Sequence, residues 1–309
     1  MEIVPLQRRL GKQYAVFGEF GMMVPMPPSL EEARLEWLRG LPATISEITT
    51  RWSLSVGRPF RTFAEDGAWV APATDQNGMD AVLKVSFPHF EEEQEIQGLR
   101  FWAGEPTVRL LAADDARHVM LLERCRPGTS LQERPETEQD VVIAGRLHRM
   151  WKQPSAAQPF RPLEAMLAYW CEEAERAIAR AADPGLVREG IALFSRLSGT
   201  ANQRFLLPTD LHAGNVLSAG RVPWLAIDPK PFLGDPAYDA TQHLLNCRDR
   251  LLDRPELTIR KFADLLEVDA QRVGLWTFAR TAVSSVAIDP GEAGWSMHLA
   301  RTLKATASL

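Results

Sequence analysis

The sequence predicts an α+β chain in two lobes, a β-rich N-terminal lobe followed by a mainly helical C-terminal lobe. Three observations carry this. Short runs of strand-forming residues between turn signals dominate the first ~120 residues. Apolar residues recur at helical spacing afterwards, as in Ile143, Leu147 and Trp151. Between the two regimes stands Arg126-Pro127-Gly128, a turn. The expected lobes are residues 1–123 and 124–309.

The elements follow in order. Met22 to Pro28 holds three prolines and reads as an extended lead-in. Ser29-Leu30-Glu31-Glu32 fits a capping box opening a helix that carries Leu35, Trp37 and Leu38. Ser53–Val56, Trp69–Ala73 and Ala81–Val85 read as strands, the last two joined by a Gln76-Asn77-Gly78 turn. The acidic run Glu91–Glu95 opens a helix through Trp102, since acids in a first turn suit the helix dipole. Val108-Leu110-Leu111 and Val119–Glu123 complete the sheet. Beyond the turn, Leu163–Ala182 is a helix ended by Asp183-Pro184-Gly185, and Val187, Ile191 and Phe194 mark another. Two strand-like runs, Asn215–Leu217 and Trp224–Ile227, interrupt the helices, which resume at Tyr238.

A chain of 309 residues can bury a sizeable core without disulfides or a structural metal. Its net charge of -5 disfavours a nucleic-acid backbone as partner. Cys125, Cys171 and Cys247 form no metal or disulfide spacing, and reduced thiols in a cytosol are the expectation. No signal peptide is expected from the N-terminal residues, and no apolar run is long enough to span a membrane.

The chemistry concentrates in Pro208-Thr209-Asp210-Leu211-His212-Ala213-Gly214-Asn215 and in Asp228, thirteen residues past Asn215 at the end of an apolar strand. An Asp, an Asn five residues later and a second Asp closing the next strand is the layout of a kinase catalytic loop with its metal-binding aspartate. Phosphoryl transfer needs a carboxylate that orients the attacking hydroxyl and accepts its proton, the role of Asp210. It also needs oxygens that hold Mg²⁺ on the donor phosphates, the role of Asn215 and Asp228. Taken singly, each residue could equally cap a turn. Lys84 tips the balance, as the one cation in an otherwise apolar strand. A kinase uses such a lysine to grip the α- and β-phosphates, steadied by a Glu of the following helix. Glu95 is the preferred partner and Glu91 stays open, while Glu92 and Glu93 read as a solvated helix start.

Lys84, the acidic helix, Met120-Leu121-Leu122-Glu123, Leu147-His148-Arg149-Met150-Trp151, Asp210 to Asn215, Ile227-Asp228-Pro229 and Gly234-Asp235-Pro236-Ala237-Tyr238-Asp239 occur in one order. In this the chain resembles the aminoglycoside phosphotransferase family, in its branch of streptomycin 6-kinases and hydroxyurea phosphotransferases, from about Leu30 to Leu303. The resemblance implies a protein-kinase-like fold and transfer of the γ-phosphate of ATP or GTP to a hydroxyl of a small molecule, above all an aminoglycoside or related antibiotic. It also implies that Glu123 to Cys125 form the hinge that meets adenine and that the loop from Gly57 to Trp69 covers the phosphates.

Two departures stand out. Pro208 occupies the place where the family usually has a His, and Asp228-Pro229-Lys230 replaces Asp-Phe-Gly. Neither removes a group that touches phosphate or metal, so a permanently formed site is expected. Asp235 and Asp239 are expected to brace the catalytic loop, and His148 and His212 to be packed structural residues. Competing readings are a metabolic kinase for another alcohol, a silent nucleotide-binding module, and a metallophosphoesterase. The last lacks its Gly-Asn-His motif.

Overall fold

In the strand Asp80–Ser86, side chains must alternate between the two faces of the sheet, and between its polar ends the sequence fills Ala81–Val85 with apolar groups except at Lys84. A computed structural model, which describes residues 28–60, 67–158 and 160–306, shows how the faces are covered. Five antiparallel strands, β1 (Leu54–Val56), β2 (Ala68–Asp75), β3 (Asp80–Ser86), β4 (Leu110–Asp114) and β5 (Val119–Glu123), lie in the order β1-β2-β3-β5-β4. The β2–β3 turn closes on the Asp75 carboxylate, which accepts from the N–H groups of Asn77 (2.9 Å) and Met79 (2.7 Å).

One face carries Ala81, Leu83, Val85, Val119 and Leu121 and packs against Leu41 and Ile48 of α1 (Pro28–Arg51). That helix continues past Pro42, because burial of Leu41 and Ile48 holds its second half on the sheet. The capping-box hydroxyl of Ser29 and the lead-in Met22–Pro27 lie outside the described residues. The other face carries Val82, Met120 and Leu122 and packs against Ile96 and Leu99 of α2 (Glu95–Trp102). Lys84 shares this second face by its register.

The helical part comprises α3 (Glu136–Met150), α4 (Leu163–Ala177), α5 (Pro184–Ser198), α6 (Pro236–Asn246), α7 (Arg248–Asp253), α8 (Pro255–Leu266), α9 (Ala270–Ser284) and α10 (Pro290–Thr306). Two small ribbons are set among them: β6 (Phe205–Leu207) with β9 (Phe232–Gly234), and β7 (Val216–Ser218) with β8 (Trp224–Ala226). Asp183 begins α5 rather than ending α4: its carboxylate accepts from Leu186 N–H (3.1 Å), and Pro184 occupies the first turn, where it is preorganised for a helix.

The two parts are stitched beside the last sheet strand. Val108 donates its N–H to Ala226 O (3.0 Å), which draws it out of the sheet, so β4 starts at Leu110 instead of Val108. Arg221 reaches Gly104 O, Thr107 O and both oxygens of Glu123. Among the described residues no helix is long and apolar enough to cross a membrane.

Candidate active site

Lys84 is 5% exposed, and its ammonium lies 2.8 Å from both oxygens of Glu95 and in contact with Asp228 Oδ1. The close approach of α2 makes this possible. At Gly98, one turn beyond Glu95, an added Cβ would stand 2.9 Å from Pro231 Cγ, so only glycine lets the helix sit against the Asp228–Pro231 segment. Burial and the carboxylates around Glu95 push its carboxyl up to about 8 against the pull of Lys84. For Asp228, burial also pushes upward, but the ammonium groups of Lys84 and Lys230 outweigh it and hold the carboxyl at about 2.

The segments after β6 and after β8 each hold a residue in a conformation that L-residues rarely adopt. Thr209 has φ +45° and Asp228 φ +54°, and backbone outliers of this kind persist where surrounding contacts over-determine them. The contacts are on hand. Asp239 Oδ1 accepts from Thr209 N–H (3.0 Å), Thr209 Oγ1 donates to Lys230 O (2.6 Å), and Lys230 N–H donates to Pro208 O (2.8 Å). Asn215 donates from Nδ2 to Asp210 O (3.0 Å), and its own carbonyl accepts from Ile227 N–H (2.9 Å). Asp210, Asn215 and Asp228 are thereby tied into one frame.

Both oxygens of the Asp210 carboxylate are engaged. Gln242 Nε2 donates to Oδ1 (2.7 Å), and Lys230 Nζ lies 2.8 Å from Oδ2. The Gln242 amide is oriented in turn by Arg280, which donates to its Oε1 (2.6 Å). Burial opposes the charge on Lys230, yet Asp210, Glu91 and Asp228 hold its pKa well above the ordinary value. Sequence reading passed over Lys230, Gln242 and Arg280. Gln242 stands one turn after Asp239 on the same helix face, a spacing that by itself names no partner.

Several expectations change. Glu91 does not share a helix face with Glu95, because α2 starts at Glu95 and Gln94 precedes it without a side-chain cap. The Glu91 carboxylate is drawn instead to Trp170 Nε1 of α4 (2.8 Å), while its N–H donates to His89 Nδ1 (3.2 Å). Glu92, expected in solvent, is 6% exposed and lies 3.4 Å from His89. Glu93 is exposed and pairs with Arg161. Glu123 donates its N–H to Arg109 O and binds Arg221 through its carboxylate, whereas the peptide groups of Arg124 and the buried Cys125 make no turn or loop hydrogen bond with the described residues. Asp239 braces the catalytic loop as expected. Asp235 does not: its carboxylate caps α6 and ties Arg272 and Trp276 of α9. His212 accepts from Gly214 N–H through Nδ1, and His148 is hydrogen-bonded to Leu266 O with its ring 5.7 Å from that of Trp151, though it is exposed. Residues 61–66 of the covering loop lie outside those described.

Behind Gln242 lies a second polar cluster of Asp140, His243 and Cys247. Arg250 occupies both Asp140 oxygens (2.6 and 2.8 Å) and His243 Nε2 lies 2.8 Å from one of them, so this is an ion-pair network rather than a metal centre. Burial alone would raise the Asp140 carboxyl, but Arg250 and His243 outweigh it and hold it at about 2. Such an acid contributes stability that is complete above its unfolded value of 3.8 and is lost as pH falls toward 2. Asp140→Asn should therefore destabilise the protein at neutral pH and flatten the acid limb of urea-unfolding stability below about pH 4. An unchanged acid limb would exclude Asp140 as its source.

Comparison with known proteins agrees with this geometry. A streptomycin 6-kinase of Streptomyces glaucescens is 33% identical over 290 residues, covering 90% of this chain and 89% of its own. A hydroxyurea phosphotransferase of Kitasatospora aureofaciens is 35% identical over 241 residues, covering 73% and 69%. Among solved structures, the choline kinase LicA of Streptococcus pneumoniae superposes with a TM-score of 0.61 at 15% identity, over 84% of this chain and 98% of that one, a likeness of fold alone. Residues 51–291 match the aminoglycoside/hydroxyurea antibiotic resistance kinase family, and the chain belongs to that family as a small-molecule kinase.

Proposed function

We propose that this kinase moves the γ-phosphate of ATP, with Mg²⁺, to a hydroxyl of an aminoglycoside or a related antibiotic. The observation that supports the site most is the double ion pairing of Lys84, to Glu95 on the neighbouring helix and to Asp228, 144 residues further along the chain. In this reading residues 1–123 grip the nucleotide and residues 124–309 carry the catalytic loop and the acceptor. Lys84 addresses the donor phosphates, Glu95 holds it in place, and the Cys125 peptide meets adenine, with Glu123 anchoring that turn through Arg221. Asp210 orients the acceptor hydroxyl and takes its proton.

The residues fit a hard divalent cation. Asp228 Oδ2 and Asn215 Oδ1 have no partner among the described residues, and the Asp228 carboxyl is held ionised at about 2. Oxygen donors of this kind are what Mg²⁺ takes. When bound, the ion neutralises and orients the donor phosphates. Glu91, half-buried beside Lys230 and Trp170, offers a carboxylate to a cationic acceptor.

An ATP-consumption screen over aminoglycosides, hydroxyurea and simple alcohols tests this. Turnover with an aminoglycoside that stops on removing Mg²⁺ is expected. Turnover confined to simple alcohols would make the protein a metabolic kinase. Silence with intact ATP binding would make it a nucleotide-binding module.

A further inference from the structure

Each aspartate of the site has its own lysine. Lys84 belongs to Asp228 and is also held by two oxygens of Glu95. Lys230 belongs to Asp210, and Asp210 Oδ2, 2.8 Å from its ammonium, is its one ion-pair partner among the described residues. An ammonium has three donors, more than this one contact can use. Its main chain is strapped to the catalytic loop on both sides, through Lys230 N–H to Pro208 O (2.8 Å) and Thr209 Oγ1 to Lys230 O (2.6 Å). The Cα is thus fixed, while the four-carbon stem, buried at 5% exposure, carries the ammonium on rotatable bonds.

The charges nearby explain what such a cation could do. Asp210, Glu91, Asp228 and Glu92 all lie within electrostatic reach of Lys230. A phosphoryl group passing from a nucleotide held at Lys84 and Asp228 to a hydroxyl held at Asp210 must enter this acidic surround. Without a cation along that path, like charges would oppose it.

We propose that Lys230 is a catalytic residue that contacts the transferring phosphoryl group. This rests on the assignment of Asp210 and Asp228 above. In the step, the acceptor oxygen forms a bond to phosphorus, the bond from phosphorus to the β-phosphate oxygen of the nucleotide breaks, and the acceptor proton passes to Asp210. Lys230 turns from Asp210 Oδ2 to an equatorial phosphoryl oxygen, donating a hydrogen bond and keeping its proton. Charge spread over those oxygens is what a fixed cation stabilises.

The test uses the full chain with Lys230→Met, Lys230→Arg, Asp210→Asn and the Asp210→Asn/Lys230→Met double variant. Rapid-quench turnover is read together with ATP and ADP affinity in excess Mg²⁺. Lys230→Met should lower kcat about 100–1,000-fold, the loss typical for removing one preorganised stabiliser of developing charge. ATP should bind more weakly to it while ADP affinity stays the same, because only ATP carries the group that Lys230 contacts. Lys230→Arg should recover a large part of the lost turnover. In the Asp210→Asn background, Lys230→Met should still cost about tenfold or more.

A role confined to holding Asp210 predicts that Lys230→Met adds nothing once Asp210 is Asn, and that result would overturn the proposal. So would equal weakening of ATP and ADP, or a loss of kcat below about tenfold in Lys230→Met. If Lys230→Met does not fold, the double variant, which removes both charges, is compared with Asp210→Asn and decides alone. Full turnover in Asp210→Asn would instead reject the underlying site, whatever Lys230 does.

Discussion

Asp210→Asn should lower kcat about 100–10,000-fold, the span that a positioned general base contributes, while Mg²⁺–ATP affinity changes little. The substitution is nearly isosteric. Its remaining carbonyl can still accept from Gln242, so the Arg280–Gln242 support stays in place. What disappears is the oxygen that receives the acceptor proton, together with the anionic partner of Lys230. The abandoned ammonium still faces Glu91, Glu92 and Asp228, which limits the cost to stability. Turnover and nucleotide affinity must therefore be read on protein whose thermal melt shows a single folded species. A variant that phosphorylates its acceptor within about tenfold of the wild-type rate would remove Asp210 from the proton-transfer step.

The parts of the molecule that sequence made legible are those with strong local period. In β3 the alternation of Ala81, Leu83 and Val85 against Val82 and Lys84 sends the lysine to the face that α2 covers. The spacing from Asp210 to Asn215 spans one single-turn helix, Ala213–Asn215, so the Asn comes back beneath the Asp peptide. Contacts set by tertiary packing left no such trace. The acidic run at Glu91 looks like a helix start, yet Trp170 draws Glu91 aside and His89 holds Glu92 in a buried pair. The strands β6 and β9 have three residues each, too few to show a period of two. Nearly every residue of α6 is buried, so no polar stripe marks Gln242 as the one that reaches Asp210. Arg280 acts from α9 across 38 residues of chain, a distance at which pattern carries no information.

Lys84→Met should have the other large effect, and it should be visible in stability as well as in activity. Met fills a volume close to that of the lysine stem but leaves Glu95, 2% exposed, without its cation. Breaking a buried pair by removing one member typically costs about 3–5 kcal/mol. Here Glu95 already sits near 8, because burial and its acidic neighbours push it up, so in the variant it can take a proton and escape part of that cost. The sign of the pH dependence follows. An acid whose folded pKa lies above its unfolded value of 4.5 loses stability as pH rises toward the folded value. Without Lys84 that folded value moves higher, so the wild type stops losing stability above about 8 while the variant goes on losing it, and the deficit of Lys84→Met should grow above pH 8. Lys84→Met/Glu95→Gln removes the acid and should flatten that extra slope. Turnover should stay low in both variants, since neither restores a cation to the donor phosphates, with a loss of about 100-fold or more. A double variant that regains both stability and turnover would show that Lys84 serves only to neutralise Glu95. Recovery of stability alone separates the phosphate role from the structural one.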